Sequence, residues 1–379
     1  MRQKFVVLIT ALLTLSLFAP AVAGAGAGAG TGVGLDASAA AQSDEMDCEY
    51  PLEVTDATGE TITLDEPPES VVALQPSDAQ TVFEIGAEDR LTGMPDNPAT
   101  ADLEMGDREA ITDGYEIIHE RVIDLEPDVV LAANATFDDD IDTLRQAGLD
   151  VYHFDEAESV DDVRDNVFQT GELTDECDGA EETVDWMDER LETVETALED
   201  ADRPLAYYAM GDDGTTAGTE TFIHEVLTTA GVENIGERAG ISGYEQLSEE
   251  TLVEEDPDWI IHSDDAEPEV LMPDIAESTS AYQDGNVIAV DANQLNQPAP
   301  QVVYAVVDIV EAVHPDAYEA AVEGLEDTES DDSATDENGD DASDTDADED
   351  DDAAETIPGF GIPVAVAALL GTAFLARRR

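Results

Sequence analysis

The segment His119–Ala132 (HERVIDLEPDVVLA) returns in outline about 130 positions later as Glu249–His262 (EETLVEEDPDWIIH). Glu120 falls on Glu250, Pro127 on Pro257 and Asp128 on Asp258, each copy running on into an apolar stretch of strand character. The flanking order repeats too. Phe83–Leu91 precedes the first copy and Val226–Ile235 the second; Tyr152–Asp155 follows the first and Ile288–Asp291 the second. Two copies are too few for a solenoid, in which several units stack to share one core. They suffice for two similar α/β lobes with a cleft between them, where a small ligand can be buried.

Short apolar runs alternate with helical patterns in both halves, which implies a parallel sheet in each lobe. Val71–Gln75, Leu91–Met94, Val129–Ala133 and Val151–Phe154 read as strands, as do Leu205–Met210, Trp259–His262 and Val287–Val290. Helices are expected at Ala79–Ile85, Asp139–Ala147, Thr221–Ala230 and Ser248–Glu255. Ser77 or Asp78 would cap the first of these by accepting from its free amides. Between the halves, Val184, Met187, Leu191, Val194 and Leu198 recur at three- and four-residue steps from Thr183 to Ala201. That is one apolar stripe on a long helix, ended by Arg203-Pro204. Packed across both lobes, such a helix is a stiff hinge. The expected division is an N-terminal lobe at 50–172, an interlobe helix at 173–203 and a C-terminal lobe at 204–325. In parallel sheets ligands sit at the carboxyl ends of strands. The turns after Gln75, Ala133, Met210 and His262 are therefore the expected cleft walls.

The ends of the chain suggest where the lobes work. Arg2 and Lys4 precede an apolar run from Phe5 to Phe18, and Ala21-Val22-Ala23 offers a cleavage site. This reads as a secretory signal peptide over residues 1–23, followed by a linker over 24–49; the alternative is a retained membrane helix. Residues 326–356 are dominated by Asp, Glu, Ser, Thr and Ala, with almost nothing apolar to bury, and are expected to form a disordered acidic stalk. Pro358-Gly359-Phe360, an apolar stretch and Arg377-Arg378-Arg379 complete the segment 357–379. Its apolar length suits a bilayer, and the arginines would stay cytoplasmic. Motif, apolar run, arginines and acidic stalk together resemble the PGF-type sorting signals of archaeal surface proteins, in which the helix is removed and a lipid replaces it. The lobes are thus expected outside the cell, anchored at the C-terminus.

Formal net charge is −81, and Lys4 is the only lysine. An acidic, lysine-free surface suits a protein of a halophilic archaeon, kept soluble in concentrated salt. It also excludes nucleic acid as a partner, since no basic patch is available to neutralise phosphates. Cys48 and Cys177 are the only cysteines. In an exported protein such a pair is either a disulfide or two buried free thiols. Bonded, it would pin the N-terminal segment to the start of the interlobe helix.

VVALQPSDAQTVFEIGAEDRLTG, ERVIDLEPDVVLA, TFIHEVLTTAGVENIG and LSEETLVEEDPDWII closely resemble, in this order, the iron-siderophore and cobalamin periplasmic-binding domain. The likeness runs from about Ser70 to Pro315, and the cobalamin receptors look nearest. It implies the fold of class III solute-binding proteins: two α/β lobes joined by one long rigid helix. It also implies a receptor without enzymatic activity or resident cofactor, delivering cobalamin or a related corrinoid to an ABC permease dimer with two ATP-binding subunits. A ferric-siderophore or haem receptor is the alternative within the family. In these receptors one glutamate per lobe docks on permease arginines, and the matching positions are Glu120 and Glu250. By the same matching the cleft should include Pro76, Ser77, Tyr115, Tyr208, His262 and the turn from Gln294 to Gln297. Tyr115 would lie against the corrin, and His262 either ligates a metal of the cargo or bonds a loop.

Other classes fit less well. A metal-ion receptor would gather His, Asp and Glu, but His119, His153, His224 and His262 show no metal-binding spacing and there is no His-rich loop. A structural surface module would need neither matched glutamates nor a rigid hinge. The chain has no Gly-x-Ser-x-Gly elbow, no P-loop and no Gly-x-Gly-x-x-Gly after a strand.

Overall fold

The computed structural model describes residues 48–335. The signal-peptide, stalk and sorting-segment expectations fall largely or wholly outside them. Within them, two parallel sheets stand where the repeat puts them. The first runs in the order Glu109–Ala110, Leu91–Met94, Val71–Ala73, Val129–Ala132, Val151–His153. The second runs Glu233–Asn234, Leu205–Tyr208, Trp259–Ser263, Val287–Val290. The inner strands Val129–Ala132 and Trp259–Ser263 are fully or almost fully buried, as strands covered on both faces must be.

The repeated Pro-Asp has a structural role in both copies. Asp128 Oδ2 accepts the amides of Glu69 and Ser70 at 2.9 and 3.0 Å, fixing the entry to strand Val71–Ala73. Asp258 Oδ2 accepts the Leu205 amide at 3.0 Å and fixes the matching entry in the second lobe. The helices before them, His119–Asp124 and Glu249–Glu255, are followed by Glu126 and Asp256 in the left-handed region, at φ 46° and 43°. The same terminating geometry just before a proline marks the two copies as one unit used twice.

The expected connecting helix is longer than its apolar stripe, running Cys177–Leu198 behind a helix at Val160–Thr174. Val184, Met187, Val194 and Leu198 join residues of both sheets in one continuous core. Contact with the first lobe is close. A Cβ at Gly179 would lie 1.9 Å from the Ile85 carbonyl oxygen, so only glycine fits there. Thr183 donates to the Glu84 carbonyl at 3.1 Å in the same place. On its other side lie the helices Val302–Val313 and Pro315–Thr335, with Tyr304 against Trp186 at 5.2 Å between ring centroids. The last helix continues past residue 325, where a disordered stalk was expected to begin. Extending a helix already seated on a partner costs far less than starting one.

Cys48 and Cys177 are bonded, with Cα atoms 5.6 Å apart. The Tyr50 hydroxyl donates to the Glu172 carbonyl at 2.7 Å beside this bridge. The segment leads into an antiparallel hairpin, Leu52–Thr55 with Thr61–Leu64. Its turn is built on Asp56, whose side chain is 1% exposed and paired with Arg145. Asp56 also accepts the Thr58, Glu60 and His153 amides at 2.9, 3.1 and 3.1 Å. Burial pushes this carboxyl up, and bonds from Thr58, the His153 amide and Arg145 outweigh it, leaving it below the usual carboxylate range. A carboxyl depressed on folding contributes stability above its unfolded pKa of about 3.9, and loses it as pH falls further. We expect Asp56→Ala to cost about 3 kcal/mol at neutral pH, because it strands the Arg145 guanidinium. Urea unfolding of mutant and wild type should show this gap shrinking below about pH 4. A gap independent of pH would mean packing, not charge, holds the turn.

Candidate functional site

The carboxyl ends of both sheets face a cleft made of two adjoining voids, both open to solvent. They share Phe222, Tyr244 and Asn296, so they form one trough between the lobes. The first lobe contributes Ser77 and Asp78 at the start of helix Pro76–Glu84, Asn134 after strand Val129–Ala132, and Phe154 to Glu158 after strand Val151–His153. The second contributes Tyr208 and Met210, Glu220 to Phe222, Tyr244, and Ser263 and Asp265 at the end of strand Trp259–Ser263.

Asp78 organises the first wall. It is 6% exposed, and its Oδ2 accepts the amides of Gln75 and Ala133, each at 3.0 Å. The start of the helix and the end of a strand are thereby tied together. Burial pushes its carboxyl up to about 7 against the pull of the Ala133 and Gln75 amides. The capping expectation is corrected: the helix begins at Pro76 with Gln75 as its N-cap, so Ser77 and Asp78 lie inside its first turn, and Asp78 accepts the Gln75 amide from there. On the second wall Tyr208 is 2% exposed and donates its hydroxyl to Asn296 Oδ1 at 3.2 Å. Burial holds that phenol protonated well above its usual range. The lining includes the aromatic and amide side chains Phe154, Phe222, Tyr244, Asn134 and Asn296, beside several carboxylates.

Of the residues singled out from sequence, Ser77 and Tyr208 line the trough. Pro76 opens the helix that carries Ser77 and does not itself line it. Tyr115 lies on the small hairpin Thr112–Asp113 with Glu116–Ile117, is 75% exposed and lines neither void. His262 is 3% exposed, and its Nδ1 donates to the Ser263 carbonyl at 2.7 Å, away from the trough. Gln294 sits half-buried in the short helix Ala292–Leu295, outside the trough. The segment after it lines the trough through Asn296 and also bridges the lobes: Gln297 Nε2 donates to the Ala99 carbonyl at 3.1 Å, and the Gln301 side chain to Glu84 at 2.6 Å. Phe154, Phe222 and Tyr244 escaped the sequence reading, whereas Asn296 lies in the turn from Gln294 to Gln297 expected in the cleft. Phe154 follows a strand and could have been found by the carboxyl-end rule. Tyr244 sits in a strand paired with Thr215–Ala217, across a span that carries no local signal.

Glu120 and Glu250 are both exposed, each in the first turn of its helix, and neither lines the trough.

A two-lobed α/β protein with one interlobe helix, and a preformed trough at the strand ends of both lobes, is a solute-binding receptor. The chain belongs to the periplasmic binding protein family, whose profile matches residues 71–294. It binds a solute without transforming it. The PGF-CTERM motif matches residues 357–379. The cobalamin-binding protein of Halobacterium salinarum is 35% identical over 393 residues, covering 100% of both chains. A substrate-binding lipoprotein of an ABC transporter from Bacillus subtilis is 26% identical, over 71% of this chain and 87% of that one. Among solved structures, the vitamin B12-binding protein BtuF of Vibrio cholerae superposes with a TM-score of 0.57 at 21% identity, covering 67% of this chain and 98% of that one. The haem-binding protein RhuT of a Roseiflexus species gives 0.57 at 21%, over 67% and 99%. These structures share the fold.

Proposed function

We propose that this chain is the surface receptor of an ABC importer, and that it delivers cobalamin or a related corrinoid to the permease. The observation that carries this reading is the full-length similarity to a cobalamin-binding protein, over 100% of both chains. The trough supports it chemically. Phe154, Phe222 and Tyr244 offer apolar faces to a flat macrocycle, while Asn134 and Asn296 can exchange hydrogen bonds with peripheral carboxamides. Glu120 and Glu250 are the permease contacts in this reading, one on each lobe. The C-terminal motif anchors the receptor at the outer face of the membrane.

Calorimetric titration of the purified protein in molar salt is expected to show saturable one-to-one binding of cobalamin, with no chemical change in the ligand. Saturable binding of a ferric siderophore or haem, with none of cobalamin, would overturn the assignment of cargo.

A further inference from the structure

Glu220 lines the trough with its backbone in the left-handed region, at φ 61°. A residue with a Cβ is disfavoured there, and glycine is the usual occupant. Such positions persist where the surrounding structure over-determines them, often beside a ligand. The following residue, Thr221, caps helix Phe222–Thr229. The preceding Thr219 donates its amide to the Ile241 carbonyl at 3.0 Å and accepts the Gly243 amide at 2.7 Å. Glu220 is held between these two fixed points. Its side chain is exposed, and Oε2 accepts the Ser242 hydroxyl. Its Oε1 has no hydrogen-bonding partner among the described residues.

The surroundings make that carboxylate informative. Asp78, Asp155, Glu156, Glu158 and Asp265 also line the two voids, while no arginine, lysine or histidine does. Arg164, close in sequence to the wall residue Asn166, is committed to Asp161 and Asp188. An anionic group in the trough would therefore meet carboxylates with no counter-charge. Net acidity of the whole surface cannot account for such discrimination in concentrated salt, where screening extends only about 3 Å at 1 M. Repulsion between groups in contact acts at about that distance and is therefore the part that survives. A carboxamide N–H, by contrast, donates to a carboxylate in a charge-assisted bond.

We propose that Glu220 selects the ligand by charge, accepting a carboxamide N–H from the rim of a bound corrinoid and rejecting a carboxylate in its place. This rests on the corrinoid reading above. The probes are cyanocobalamin and its separately purified monocarboxylic acids, in each of which one rim carboxamide has become a carboxylate of nearly the same shape. In titrations at molar salt, at least one acid is expected to bind about tenfold or more weakly than the parent. Glu220→Gln keeps the shape and removes the charge, and should bring that acid within about threefold of the parent. Glu220→Gly, which suits the left-handed backbone, should keep the fold and also lose the discrimination. A control change on the last helix, Glu319→Gln, should leave the ratio as in wild type. Equal binding of the parent and all the acids, or a ratio untouched by Glu220→Gln, overturns the assignment to Glu220. Failure of every corrinoid to bind instead removes the functional reading, and this inference with it.

Discussion

Replacing Glu120 and Glu250 together by alanine is expected to abolish cobalamin uptake by intact cells while leaving ligand affinity within about twofold of wild type. Both side chains are exposed and lie outside the trough, so their loss removes no ligand contact. Each lies in the first turn of a helix that leads into an inner strand of its lobe, so the pair marks equivalent points on the two halves of the receptor. A receptor with this internal symmetry can register on a twofold permease through two like contacts. A carboxylate meeting a guanidinium forms a bidentate, charge-assisted pair. Truncating one partner of such a buried pair costs about 2–5 kcal/mol, much of it from the charge left behind. Single mutants should therefore be impaired and the double mutant inactive. Transport assays with a radiolabelled corrinoid, beside titrations of the purified mutants, separate the two properties. Normal uptake by the double mutant would dismiss the docking role, and so would a loss of affinity.

The largest stability effect should come from the disulfide. Cys48 and Cys177 are separated by 129 residues, and the bridge encloses most of the first lobe. Closing a loop of that length in the unfolded chain corresponds to about 5 kcal/mol on the chain-entropy view, and measured losses run about 2–5 kcal/mol. We expect Cys48→Ser with Cys177→Ser, or reduction of the wild type, to lower unfolding free energy by that amount in urea at high salt. The first lobe should bear most of the damage, because the bridge and the Tyr50 bond to Glu172 hold its N-terminal hairpin in place. A loss below about 1 kcal/mol would mean the hairpin and its Asp56 turn hold the segment unaided.

Most of the architecture could be read from the chain because its signals are periodic and local. The strands at Val71, Val129, Trp259 and Val287 were visible as apolar runs, and the connecting helix as a stripe at helical spacing. The carboxyl-end rule also finds the trough's walls, since Ser77, Asn134 and Ser263 follow, and Met210 ends, strands legible in the sequence. Individual contacts were less legible. Whether His262 faces the trough or its neighbour's carbonyl depends on a side-chain rotation that no pattern encodes. Gln297 and Gln301 reach across to Ala99 and Glu84, some 200 positions away, and nothing near them in sequence announces it. Tyr244 enters the trough through a similar long-range pairing.

The last helix, Pro315–Thr335, lies along the interlobe helix, so the chain departs toward its C-terminal motif from the hinge and not from either lobe. In the anchored receptor proposed above, a pull on the tether therefore acts near the pivot and gives little leverage for prising the lobes apart. The 21 residues from 336 to 356 reach at most about 75 Å when fully drawn out. So anchored, the receptor cannot diffuse away. Its search for the permease becomes two-dimensional, across the plane of the membrane, and a docking contact too weak to hold a free protein would suffice.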